Sequence, residues 1–246
     1  MKKEFYFQMN ENLILNFALK SRTRCFQFIS SAYTAGSDRI ECPEAAVNAT
    51  HFTNVYEESK AHAENTISRR CREGDLPYTI VRPSIVYGDS VTGRSLKFNA
   101  LYYPVRSLQL IRDTYLEDIK NNNGIKSAAC GIYINDEGKL HLPIRIFIPN
   151  EDNINLIPVD YFTEAIISII EKPVAETFYH ITGNNPESMV RLASYTDRFL
   201  NITGIEVVIS TSSADEMRNP PEELLIISSK HNSPIFQIKE FYKREY

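Results

Sequence analysis

The sequence predicts an α/β domain built on a parallel sheet, and three observations carry that prediction. Residues 24–30 (RCFQFIS) and 78–86 (YTIVRPSIV) are short runs with apolar side chains at both odd and even positions, the pattern of strands covered on both faces. Each run ends in small or turn-forming residues and is followed by a stretch with helical spacing, so strand and helix alternate. With 246 residues and 43% hydrophobic content, the chain is long enough to bury a full core.

Taken in order, Leu13, Ile14, Phe17 and Ala18 fall at helical spacing and predict an amphipathic helix over about residues 5–20, packed on the sheet. The strand over 24–30 reads as a central one, and it ends at Ser31, where the small residues of SAYTAGS begin a loop. Residues 37–54 carry Pro, Asp, Asn and Thr without periodicity and predict a surface loop. It leads to a helix from about Val55 to Glu73, closed by Gly74. A strand over 78–86, a turn-rich stretch over 87–96 and a helix from about Phe98 to Lys120 follow, and Asn121–Gly124 breaks that helix. Downstream the pieces shorten: strands at 144–148 and 154–159, a helix over 160–171, a strand over 177–181 and a helix over about 187–200. Pro220-Pro221 marks a boundary, which divides the chain into residues 1–218, with a smaller substrate-side portion woven in, and an unassigned tail, 219–246.

Composition narrows the function classes. The net charge of −4 is spread along the chain without the basic stripe that nucleic-acid binding requires. The four cysteines, Cys25, Cys42, Cys71 and Cys130, show neither C-x-x-C pairing nor histidines at metal-ligand spacing, so they read as reduced cytoplasmic thiols. The opening residues are too polar for a signal peptide, and no apolar run is long enough to span a membrane.

The chemistry gathers around Tyr56 and Lys60. Four residues apart on a helix, they share a face, so hydroxyl and ammonium can serve one site. A nearby cation favours the phenolate and makes the phenol a better proton donor or acceptor near neutral pH. Ser31, at the exit of the preceding strand, adds a second hydrogen bond to the same substrate oxygen, which makes an acid/base site for carbonyl chemistry. Chance alone supplies roughly 0.7 Tyr-x-x-x-Lys pairs in a chain with 14 tyrosines, so the flanking strands carry the inference.

Other motifs have plainer readings. No G-x-G-x-x-G occurs; Gly88–Ser95 resembles a P-loop, except that Arg94 stands where a lysine is needed, and a strand-to-helix loop explains it. Arg82-Pro83 reads as a strand terminator, Asp160 as a helix cap or dipole partner, Asn10 as a cap and His62 as a solvated helix residue.

Five segments in order, Phe28–Gly36 (FISSAYTAG), Asn54–Glu64 (NVYEESKAHAE), Ile80–Gly93 (IVRPSIVYGDSVTG), Leu156–Ile166 (LIPVDYFTEAI) and Phe178–Gly183 (FYHITG), resemble the extended short-chain dehydrogenase/reductases. Within them the resemblance is to the fatty acyl-CoA reductase and thioester-reductase group, also called male-sterility-type domains, toward which the GDSVTG loop leans. It implies a Rossmann-type sheet with a small C-terminal substrate-binding portion. It further implies Tyr56 as general acid, Lys60 holding the nicotinamide ribose and tuning Tyr56, Ser31 on the substrate carbonyl and Pro83 beside the nicotinamide. The implied cofactor is NADP or NAD, and the implied reaction is hydride transfer to an acyl thioester, giving an aldehyde or alcohol. A sugar-nucleotide epimerase or dehydratase holding NAD is the first alternative, and a non-catalytic remnant or binding module the second. Family members open with a strand, a glycine-rich turn and a helix, for which this chain has no sequence. The expectation is therefore a domain lacking its N-terminal glycine-loop half, whose partner is that half or a larger multidomain synthetase.

Overall fold

The structure, a computed structural model, describes residues 13–36, 42–52, 54–96, 101–148 and 153–209. In chain order the elements are helix α1 (13–20), β1 (Phe26–Ile29), a short 3-10 helix (Ala32–Ala35), α2 (Val55–Glu73), β2 (Tyr78–Pro83) and β3 (Ile85–Tyr87). They continue as α3 (Tyr102–Asn121), α4 (Ile125–Ala129), β4 (Tyr133–Ile134), β5 (Leu140–Ile148), β6 (Asn153–Ile154) and β7 (Leu156–Pro158). The last are α5 (Val159–Glu171), β8 (Thr177–Ile181), β9 (Glu187–Ser188), α6 (Met189–Leu200) and β10 (Ile202–Ile209). The chain divides into two compact units, Met1–Leu96 with Asn155–Asn185, and Lys97–Ile154 with Pro186–Tyr246. The expected boundary near 218, Asn10 and residues 5–12 of the first expected helix lie outside the described residues.

In the first unit β1, β2 and β8 form a parallel sheet in that order, and β3 and β7 form a parallel pair. One face of the sheet presents Tyr78, Ile80 and Phe178 to Leu15 and Ala18 of α1 and to Ile67 and Cys71 of α2. On the opposite face Val81 and Ile181, with Ile157 of β7, pack against Phe162, Ala165, Ile166 and Ile169 of α5. Burying such aliphatic and aromatic groups is the main force holding helices to sheet, roughly 1.5–3 kcal/mol for each large side chain.

Helix α2 begins and ends where the sequence predicts. The Asn54 side chain accepts from Glu57 N at 3.0 Å and donates to the Glu57 carboxylate at 2.9 Å, while Gly74 N caps Arg70 O at 3.0 Å. Glu57 and Glu58 at its start and Arg70 and Arg72 at its end complement the helix dipole.

The strand expected over 78–86 is broken in two. Pro83 has no N–H to continue the ladder, so Ser84 N donates to Ile181 O at 3.0 Å, and from Ile85 onward the chain pairs with β7 instead. The strand expected to be central, β1, has a partner on one side only among the described residues. Asn155 locks the β7 start to the end of β8, its amide donating to Gly183 O at 2.7 Å and accepting from Gly183 N at 2.8 Å. A Cβ on residue 183 would lie 2.6 Å from Leu156 O, which is why glycine stands there.

In the second unit β10 and β5 pair in parallel and β4 adds to β5 antiparallel. Leu108, Ile111 and Tyr115 of α3 and Leu200 of α6 cover Leu140, Leu142 and Ile202. The sequence reading found only the end of β5 and none of β4, α4 or β10.

Candidate active site

All four residues singled out from the sequence lie in the first unit, at the carboxyl ends of β1 and β2 or on the first turns of α2. Crevices at the carboxyl ends of parallel strands are where α/β sheets bind ligands. Ser31 is buried and caps the short 3-10 helix, its hydroxyl accepting from Tyr33 N at 3.3 Å. Tyr56, half-exposed near the start of α2, has the Ser31 side chain as its polar neighbour. The structure therefore brings together the two hydroxyls that the sequence separates by 25 positions.

Burial pushes the Tyr56 phenol above its ordinary value, and the neighbouring Ser31 hydroxyl acts in the opposite sense. The net direction is the reverse of what a neighbouring ammonium alone would produce, and it keeps the phenol protonated at neutral pH. The Lys60 ammonium donates to Ile29 O at 3.2 Å and sits 4.8 Å from the centre of the Phe28 ring, which anchors it on the β1 side of α2. Pro83 is buried at the end of β2, two residues beyond Val81, as Ser31 is two residues beyond its partner Ile29 on β1. Two further hydroxyls, Ser30 Oγ and Ser84 Oγ, are buried at these strand ends without a hydrogen-bond partner among the described residues.

Behind this row lies a polar cluster that the sequence reading missed. Arg82, taken as a strand terminator, is fully buried inside β2 and pairs with Glu64 of α2 through two bonds, Nη2 to Oε2 at 2.6 Å and Nε to Oε1 at 2.9 Å. Its Nη1 donates to Pro43 O at 3.0 Å, and its guanidinium covers the Phe178 ring at 4.7 Å. A single charge in an otherwise apolar run, with a carboxylate two turns after Tyr56, was the signal available in the sequence.

His180, in the same sheet row as Arg82, has an unpartnered Nε2. Burial and the Arg82 charge hold its imidazole below the ordinary 6.5, with Glu44 and Glu64 acting the other way. A histidine depressed in the fold contributes stability above its unfolded value that is lost as pH falls through the folded one. The melting temperature should therefore drop on acidification from neutral to about pH 5, and His180→Gln should flatten that drop. Parallel melting-versus-pH curves for the two proteins would remove His180 from the acid response.

Asp160, expected as a helix cap or dipole partner, lies in the first turn of α5, where its charge complements the helix dipole, and it does not cap the helix. The start of α5 has no side-chain cap, and the Asp160 carboxylate holds Ser90 instead, N at 2.9 Å and Oγ at 2.5 Å. Asp89 likewise accepts from Val91 N and from Thr92 N and Oγ1, so the Gly88–Ser95 stretch is a loop closed on its own carboxylates. It does not resemble a phosphate cradle at a helix start, because α3 begins only at Tyr102. Among the described residues no group of three or more His, Cys, Asp or Glu is placed to hold a metal, and no helix is long and apolar enough to cross a membrane.

Residues 11–166 match the family described as Male sterility protein, an NAD-binding domain. The chain belongs to that family. No curated protein matches it in sequence. Among solved structures, UDP-glucuronic acid 4-epimerase from Bacillus cereus is 14% identical with a TM-score of 0.56, the match covering 85% of this chain and 59% of that one. dTDP-glucose 4,6-dehydratase from Bacillus anthracis is 18% identical with a TM-score of 0.54, covering 87% and 61%. The terminal R domain from the myxalamid PKS-NRPS biosynthetic pathway is 18% identical with a TM-score of 0.55, covering 89% and 50%. These likenesses establish a Rossmann-like α/β fold for this male sterility domain. The chain spans between half and about three-fifths of the length of these structures.

Proposed function

We propose that this male sterility domain is the carbonyl-reducing portion of an NAD(P)H-dependent reductase acting on an acyl thioester, with Ser31, Tyr56 and Lys60 as its working residues. The observation that carries the reading is the placing of the Tyr56 phenol beside the Ser31 hydroxyl at the carboxyl end of β1, with Lys60 one turn further along α2. The likeness to a terminal R domain supports a thioester substrate.

In this reading Tyr56 donates its proton to the carbonyl oxygen as negative charge gathers there, and Ser31 donates a second hydrogen bond to the same oxygen. Ser31 is set for that role because the Tyr33 N–H occupies one of its lone pairs and leaves its proton to give. Lys60, fixed by Ile29 O and the Phe28 ring, keeps a positive charge one helical turn from Tyr56. A bound nicotinamide would supply the hydride. The residues fit its reacting end: the unpartnered Ser30 and Ser84 hydroxyls flank Pro83 and Ser31, and Lys60 and Tyr56 would hold the ribose. The chain contains no glycine-rich turn for the phosphates.

A second reading, an NAD-dependent epimerase or dehydratase of nucleotide sugars, is favoured by the likeness to the two sugar-nucleotide enzymes. The two are separated by assay. With a glycine-turn half from a family member supplied, NADPH should be oxidised on adding a long-chain acyl thioester. A flat nicotinamide absorbance with thioesters, together with conversion of a nucleotide sugar, would reverse the ranking.

A further inference from the structure

We propose that Glu64 is a positioning residue that holds the Ser31 and Tyr56 hydroxyls together. Its one carboxylate joins the three segments that carry the site. As part of α2 it lies two turns from Tyr56 on the helix, with Lys60 between them. It grips β2 through both of its oxygens, on a guanidinium with no exposed surface, and so sets the height of α2 above the strand. Through Thr34 it reaches the turn that follows β1: the Thr34 hydroxyl lies 3.2 Å from Glu64 Oε1 and 3.0 Å from the Ser31 carbonyl, one proton shared between two acceptors. Thr34 is fully buried and Glu64 is 3% exposed, so water does not compete for these bonds.

The geometry has a reason beyond holding the fold. A buried ion pair is a poor route to stability, since apolar groups of similar volume often serve as well, but its fixed bond directions set position where an apolar contact would let α2 slide. Tyr56 and Ser31 stand on different segments, and a sliding of about 1 Å is enough to stop both hydroxyls from reaching one substrate oxygen. The role of this positioning in turnover rests on the reductase reading; the positioning itself does not.

The test is made on the isotopically labelled 246-residue chain by NMR, reading the NOE between the Tyr56 ring and the Ser31 Hβ protons against the Tyr56–Ser59 NOE within α2. Thr34→Val removes one hydroxyl and leaves the ion pair, and it should weaken the Tyr56–Ser31 NOE while the reference stays. The double variant Glu64→Leu/Arg82→Met replaces the pair by apolar groups. It should keep cooperative melting near the parent temperature and lose the Tyr56–Ser31 NOE. Parental NOE intensity in the double variant overturns the proposal, and should that variant not fold, parental intensity in Thr34→Val overturns it. A chain that loses the NOE as expected, while Tyr56 proves dispensable for turnover in the assay above, supports the positioning and sinks the reductase reading.

Discussion

Titrated calorimetrically with NADPH or NADH, the 246-residue chain should show binding no tighter than about 0.1 mM. Pyrophosphate is ordinarily held by backbone donors of a glycine-rich turn and the N-terminus of the helix after it, and this sequence has no such turn. The nearest pattern, Gly88–Ser95, is closed on Asp89 and on Asp160, and carboxylates repel phosphate rather than receive it. Charge-assisted hydrogen bonds contribute ~1.5–3 kcal/mol each, so the absence of two or three removes roughly 3–9 kcal/mol. At about 1.4 kcal/mol per decade, a micromolar site falls to about 0.1 mM or weaker. What remains, Ser31, Tyr56, Lys60 and Pro83, touches only the reacting end of such a cofactor in the proposed reading. Saturable micromolar binding by a folded monomer would show that other residues of this chain hold the phosphates.

Tyr56→Phe should lower turnover at least ~10²-fold once a nucleotide-binding half is supplied, the lower range for a positioned acid. The substitution deletes the hydroxyl beside Ser31 and keeps the ring that is half-buried at the start of α2, so the fold should be unaffected. Turnover within a factor of about three of the parent would remove Tyr56 from the chemistry. Lys60→Ala should in addition raise the cofactor KM, because its ammonium is held beside β1 by Ile29 O and the Phe28 ring, where a ribose contact would be lost together with the charge.

Much of the first unit was legible from local rules. Helix α2 runs from Val55 to Glu73 as expected, because Asn54 and Gly74 act on backbone groups within four residues of themselves. Strand β8 also has its expected bounds, and the spacing of Tyr56 and Lys60 needed only the helical period. Short-range hydrogen bonds and periodicity are encoded in neighbouring residues, and there the sequence is sufficient.

The second unit was less legible, since β5 and β10 are parallel partners about sixty residues apart and neither carries a turn signal pointing to the other. The same limit applied to the side chains whose role depends on register. Arg82 looked like a terminator because its charge was judged against β2 alone, whereas Glu64 compensates it from α2 and Thr34 passes that contact on to Ser31. Asp160 was legible as a partner of the helix dipole because it opens α5, but its bonds to Ser90, seventy residues earlier, were not. The sequence by itself determined α2, β8, the alternation of strand and helix in the first unit and the residue types able to move a proton. Only the tertiary structure decided which of those residues meet: a buried charge or hydroxyl must find its partner across the packed layers, and the register of strand on strand and helix on sheet sets which one is within 3 Å.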